Sequence, residues 1–220
     1  MLLAACAPTN VNQTRRASAS LAKPDRILVR NFAVTASEVE LDRGIGPTIA
    51  RDAQGEIASD KSVQLGHAAA NALADELVVK LRDAGLPAER STGRVSLTPT
   101  TLVIAGKFLT IDEGNQTMRT LVGFGAGASE VRTRVQAWMD GQLVAEAETT
   151  AESNKKPGAA VTLGAGAAMG TAATAAAVAA GTTGISELML TRVEADAKRT
   201  ARELADRIIR AYRERGWLAD

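Results

Sequence analysis

Apolar and polar residues alternate along this chain with two different periods, and the periods separate strands from helices. Over residues 129–140 the period is two: Val131, Thr133, Val135, Ala137 and Met139 face one way, and Glu130, Arg132, Arg134, Gln136 and Trp138 the other. Asp140-Gly141 follows, a strong hairpin signal. Residues 143–150 return with Leu143, Ala145 and Ala147 opposite Val144, Glu146 and Glu148. Charges gathered on one face put that face in water, which predicts an antiparallel sheet covered on one side. Residues 100–112 read as a long strand, with Leu102, Ile104, Phe108 and Thr110 on one face and Val103, Ala105, Leu109 and Ile111 on the other. Residues 26–34 form a short apolar, β-branched run that reads as a buried first strand, and residues 88–91 as a further short one.

The longer period appears twice. Ala69, Leu73, Leu77 and Leu81 predict a helix that Asp60 caps and that Gly85-Leu86-Pro87 closes. Leu190, Val193, Ala197, Ala201, Leu204, Ile208 and Tyr212 predict a second, from Ser186 to about Arg215, ended by Gly216-Trp217. Glu194/Lys198, Glu203/Arg207 and Asp206/Arg210 supply favourably ordered i,i+4 pairs on it. Its stripe places Leu204 and Ile208 toward the sheet and Arg207 on the opposite face. Residues 35–59 read as a long surface loop with a helical turn near residues 48–53. The expected fold is α+β: one mostly antiparallel sheet in the order β-α-β-β-β-β-α, two long helices on one face, and an excursion before the last helix.

That excursion is residues 157–186. It carries no charge and contains twelve alanines and six glycines, with Gly166 and Gly170 as a small-xxx-small pair. It is long enough for one membrane helix, but alanine contributes little to insertion. Three readings stay open: a loosely helical insertion on the domain, a helix or hairpin packed against membrane or a copy of itself through Gly166 and Gly170, and an ordinary core helix.

The start of the chain speaks to address. Leu3-Ala4-Ala5-Cys6 has the form of a bacterial lipobox, in which small residues flank the cleaved bond and the cysteine thiol takes the lipid. Residues 1–5 then read as a residual signal peptide. Only Met1-Leu2 precede the motif, which predicts a true start further upstream. Residues 6–25 are polar and aperiodic and read as a flexible tether, leaving residues 26–217 as a single domain. Ala7 after the cysteine predicts sorting to the outer membrane, facing the periplasm. The alternative is a cytoplasmic protein with an incidental short apolar start.

Composition narrows the chemistry. With 26 basic and 25 acidic residues among 220, the net charge is +1, so no basic footprint for nucleic acid is present. Three phenylalanines, two tryptophans and one tyrosine leave little for base-stacking or sugar platforms. Cys6 is the only cysteine and His67 the only histidine, so neither a disulfide framework nor a cysteine metal site can form, and a serine triad would rest on His67 alone. His67 sits in a helix and reads as solvent-facing. Glu146 and Glu148 fall on the wet face of the hairpin, where carboxylates usually only solvate. The loop of Gly123, Phe124, Gly125, Ala126, Gly127 and Ala128 invites a phosphate-binding reading. A dinucleotide loop, however, must open a helix, and this one enters the strand at Ser129 without a following Lys-Ser/Thr. The expectation is no enzyme and no cofactor.

The lipobox, the run from Gly123 to Glu130, the alternating strand, the Asp-Gly turn and the Ala/Gly tract together resemble the uncharacterised bacterial lipoprotein family called domain-of-unknown-function 4410, over about residues 26–212. The element order is also similar to the small α/β domain of the curli-secretion lipoprotein and of the N-terminal part of TolB, by topology only. The resemblance implies Cys6 as the lipid site and Gly123, Phe124, Gly125, Gly127 and Ala128 as a motif of unassigned role. It implies no catalytic residues. The function expected is a non-enzymatic, lipid-anchored envelope protein acting in protein interaction or complex assembly. Its partners would be membrane lipid through acylated Cys6, other envelope proteins, and copies of itself. The alternative is a membrane-inserting oligomer or pore component built on the Ala/Gly tract; a nucleotide-binding enzyme using the Gly123 loop is the remaining rival.

Overall fold

The computed structural model describes residues 9–15, 21–34, 39–40, 58–91, 93–112, 130–152 and 181–219. Cys6, the Gly123–Ala128 motif, Gly166, Gly170 and the turn expected at residues 48–53 lie outside them. The elements are β1 (Thr9–Arg15), β2 (Arg26–Arg30), β3 (Val39–Glu40), α1 (Ala58–Asp83), β4 (Ala88–Ser91), β5 (Thr101–Asp112), β6 (Glu130–Met139), β7 (Gln142–Glu152) and α2 (Gly181–Glu214). The fold is α+β, one sheet with two helices on one face.

The sheet runs β1-β7-β6-β5-β2-β4, with β3 also on β5. It is mixed. β1/β7, β7/β6 and β6/β5 are antiparallel, whereas β2/β5, β2/β4 and β3/β5 are parallel. The β2/β4 pair follows from α1, and β5 is entered from β4 through residues 92–100. A chain that leaves β2 and spends 26 residues crossing back over the sheet returns at the end where it began, so the strand it enters runs the same way. β2, the bridge Ala33–Lys107 and β3 lie end to end along β5 as one interrupted strand.

Three departures from simple alternation matter. A register shift between Phe108 and Thr110 leaves Leu109 as an extra residue, so Phe108 and Ile111 both point into the core and both are fully buried. They were expected on opposite faces. A second shift after Ala137 sets Leu143 opposite Trp138 and turns Val144 toward the core, reversing the expected order at the start of β7. Residues 9–15, inside the segment read as a tether, form β1 along β7. One inward apolar residue, Val11, packed against the core, together with β-branched Thr9 suffices for an edge strand whose other face is wet.

α1 begins at Ala58, placing Asp60 in its first turn, and α2 begins at Gly181, five residues before Ser186. Extending an existing helix backwards costs far less than nucleating one, so a serine inside the reach of a long helix need not end it. Both helices close identically. Leu86 N–H donates to Leu81 O at 2.9 Å and Gly85 N–H to Arg82 O at 2.8 Å; Trp217 N–H donates to Tyr212 O at 2.9 Å and Gly216 N–H to Arg213 O at 2.8 Å. Gly85 (φ 80°) and Gly216 (φ 67°) take the left-handed position of each Schellman closure. At the hairpin both Asp140 (φ 50°) and Gly141 (φ 71°) are left-handed, as a type I′ turn requires. The core lies between sheet and helices: Ile27, Val29, Ile104, Phe108, Ile111 and Val131 from the strands meet Leu65, Leu73, Leu77 and Leu81 of α1 and Val193, Ala197 and Ala201 of α2.

Candidate functional site

The helices divide the sheet. α1 packs over β2, β3 and β4, and α2 over β6, β7 and β1. Under the second half of α2 the inward strand positions are small: Ala137 on β6 stands in register with Ala145 on β7, and Ala147 follows two residues on. Alanine cannot fill the roughly 10 Å between packed layers, so the helix and sheet leave a groove of about 760 Å³.

Leu102, Ile104, Val135 and the three alanines form its floor, with Val11 and Gln13 of β1 at the sheet edge and Leu21 also lining it. Leu204, Ile208 and Ala211, spaced four and three apart on one stripe of α2, form the wall. Trp217 completes it. The Schellman closure brings Trp217 back onto Tyr212, ring centroids 5.3 Å apart and nearly perpendicular. Burial pushes the pKa of the Tyr212 hydroxyl up, so it stays a neutral phenol.

The lip is polar. Arg207 and Arg210 line the groove and both approach Oε1 of Glu203, at 3.4 and 3.8 Å. Arg207 therefore stands at the groove, not on the far face of α2 as expected from its spacing. The Arg215 guanidinium lies 5.3 Å from the centre of the Trp217 ring and donates to Ala211 O at 3.2 Å. Glu146 also lines the groove, and its carboxylate is engaged: it accepts from Gln136 at 2.7 Å and from Thr14 at 3.2 Å. The Gln136 hydrogen bond, with that of Thr14 and the charges of Arg134 and Arg15, holds Glu146 below its ordinary pKa.

The remaining candidates are separated in space. Glu148 takes two N–H donors of Arg134, at 3.0 and 2.6 Å, so the acidic pair of β7 is part of a cross-strand ladder on the outer face. His67 is exposed on α1. No cluster of three or more metal-ligating side chains occurs among the described residues, and none of their helices is long and apolar enough to cross a membrane. The glycine motif falls between the end of β5 at Asp112 and the start of β6 at Glu130, so the chain leaving it enters a strand, not a helix. A smaller hollow of about 410 Å³ opens on the outer face among Leu97, Val103 and Trp138.

Sequence reasoning missed the groove. Its one legible sign was the alanine content of the inward face of the hairpin, Ala137, Ala145 and Ala147, where a filled core would carry branched residues. It also missed Arg90 of β4, which donates to Asp75 at 2.6 Å and to Asn71 O at 3.2 Å and so ties α1 to the sheet edge.

Comparison with curated proteins gives no match. Among solved structures the chain is similar to a PelC dodecamer from Paraburkholderia phytofirmans, 14% identical over 90% of this chain and 98% of that one, with a TM-score of 0.42. A dodecamer of a PelC point variant from the same organism is 12% identical over 90% and 98%, with a TM-score of 0.40. A crystal structure of an uncharacterized protein is 12% identical over 86% and 95%, with a TM-score of 0.38. A family model matches residues 27–170, from the first residues of β2 through β7 and into the Ala/Gly tract, and by that match the chain belongs to the family described as domain of unknown function (DUF4410).

Proposed function

We propose that this chain is a lipid-anchored cell-envelope protein that acts by binding other proteins, copies of itself included, and not by turning over a substrate. The observation that carries the binding role is β1. It is the end strand of the sheet, seven residues long, and among the described residues nothing pairs with its outer edge. Such an edge presents main-chain donors and acceptors to an incoming strand, the basis of recognition by strand addition. The polar faces of Asn10, Asn12 and Gln13 restrain unspecific pairing without closing the edge. The anchor is argued from Cys6 in its Leu-Ala-Ala-Cys setting, and its outer-membrane sorting from Ala7.

Expressed behind an export signal, the wild type should incorporate labelled palmitate and sediment with membranes, and Cys6→Ser should do neither. A wild type that takes up no palmitate removes the anchor. For the edge, Asn10→Pro and Val11→Pro each delete one N–H; because donors alternate along a strand, one deletion faces β7 and the other faces outward. Self-association or partner recovery in mild detergent should fail with the outward one while the domain stays folded. Recovery undiminished by either proline removes the strand-addition reading.

A further inference from the structure

The half-buried apolar side chains are unevenly spread. Val11, Leu21, Ala137, Ile208 and Trp217 rest against the core on one side and all line the groove beneath α2. Its volume of about 760 Å³ falls within the ~300–1,000 Å³ of sites that enclose small ligands. The backbone groups of its floor are taken up in the β1-β7-β6-β5 ladders, so a peptide laid there would find few main-chain partners, whereas a hydrocarbon chain needs none. At the lip, Arg207 and Arg210 share one carboxylate oxygen of Glu203, and Arg215 stands over Trp217. Two guanidiniums thus meet the one carboxylate of Glu203; Glu214 also lines the groove, and the Glu146 carboxylate is held by Gln136 and Thr14.

We propose that the groove binds the hydrocarbon chain of a fatty acid, with its carboxylate at Arg207 and Arg210. The chain lies on Ala137, Ala145 and Ala147 against Leu204 and Ile208, and the carboxylate meets the guanidinium that Glu203 does not neutralise. The site stands independently of the lipid anchor and of strand addition at the outer edge of β1, although Val11 and Gln13 of that strand line the groove.

The chain has two tryptophans, and Trp138 is on the other face of the sheet, so Trp138→Phe leaves Trp217 as the only reporter. Saturated fatty acids of increasing length, each kept below its micelle threshold, should shift Trp217 emission saturably. Each added methylene should lower Kd about three- to fourfold until the groove is full. Ala147→Leu and, separately, Ala145→Leu fill the floor and should weaken binding tenfold or more; two sites are used so that one folded variant remains available. Arg207→Gln/Arg210→Gln should weaken the acid about tenfold and leave the alcohol of equal length unchanged. Arg132→Gln, exposed on the outer face, should change neither. No saturable shift overturns the proposal, as does an alkyltrimethylammonium ion binding as tightly as the acid. If Ala147→Leu abolishes self-association and leaves fatty-acid titrations untouched, a second copy occupies the groove and the proposal fails.

Discussion

Two glycines are required by what passes over them. A Cβ on Gly106 would collide with the carbonyl oxygen of Arg134 and stand 2.5 Å from the Phe32 ring, and one on Gly66 would stand 2.6 Å from a Val34 methyl. The bare backbone at Gly106 lets Phe32 lie against β5 and reach Phe108, ring centroids 6.2 Å apart. Gly106→Ala should therefore destabilise the domain by ~1–3 kcal/mol, through overpacking against a carbonyl that cannot move without breaking the β5–β6 ladder. Gly93→Ala, which meets nothing within 4 Å, should change stability by less than ~0.5 kcal/mol; denaturant melts compare the two. Acid titrates a second kind of residue. Glu146, through Gln136, and Glu89, through Arg26, both have pKa values lowered from 4.5. Carboxylates lowered in the folded state contribute stability that is present above their unfolded pKa and is lost as pH falls through the folded one. The melting temperature should fall as pH drops below about 4.5, and Gln136→Ala should flatten part of that fall. An equally steep fall in the variant removes Glu146 as a source.

Among the elements, those that a simple period describes were legible and those that break it were not. The β6–β7 hairpin, the Schellman ends and the stripe of α2 follow from local chemistry at Asp140-Gly141, Gly85, Gly216, Val193, Ala197 and Ala201. The bulge at Leu109 has no local signature, because it is set by which side of β6 must bury Val131 against Ile111. The polar strand β1 was hidden for a similar reason: its order comes from pairing with β7 across more than a hundred residues. The parallel half of the sheet depends on where α1 returns to β4 and on where the chain after β4 enters β5, which no alternation encodes. On α2, Leu204→Ala should cost ~2–5 kcal/mol, since Leu204 is buried against the sheet. Ile208→Ala, at the open groove, should cost less, and exposed Asp206→Ala within ~0.5 kcal/mol. Equal costs for Leu204 and Ile208 would mean that the groove is filled in solution. Across the strands, Asp112 on β5 and Glu130 on β6 stand directly opposite one another, with Arg132 3.9 Å from Glu130. The Arg132 guanidinium offsets the repulsion of like charges in register, so Glu130→Gln should change stability by less than ~0.5 kcal/mol in denaturant melts.

At the scale of the molecule the sheet has two unlike ends. The Asp140-Gly141 hairpin and the Gly85 and Gly216 turns gather at one. At the other β1 begins, β3, β5 and β7 end, β6 begins, and both helices start. With Cys6 acylated as proposed, the early start of β1 leaves only Ala7 and Pro8 between the lipidated residue and the fold, a reach of about 10 Å. A probe at position 130 should then be quenched by headgroup-level quenchers. One at position 141, about 30 Å further along β6, should not. Equal quenching at both would mean that β1 detaches and the chain rides on a longer leash. A mooring so short does more than hold the protein at the membrane. Every copy would stand at one height with one end up, its β1 edge facing sideways in the plane of the bilayer. Two copies would then meet by a two-dimensional search with most of the rotational alignment already done, and an edge too polar to pair in dilute solution could pair there.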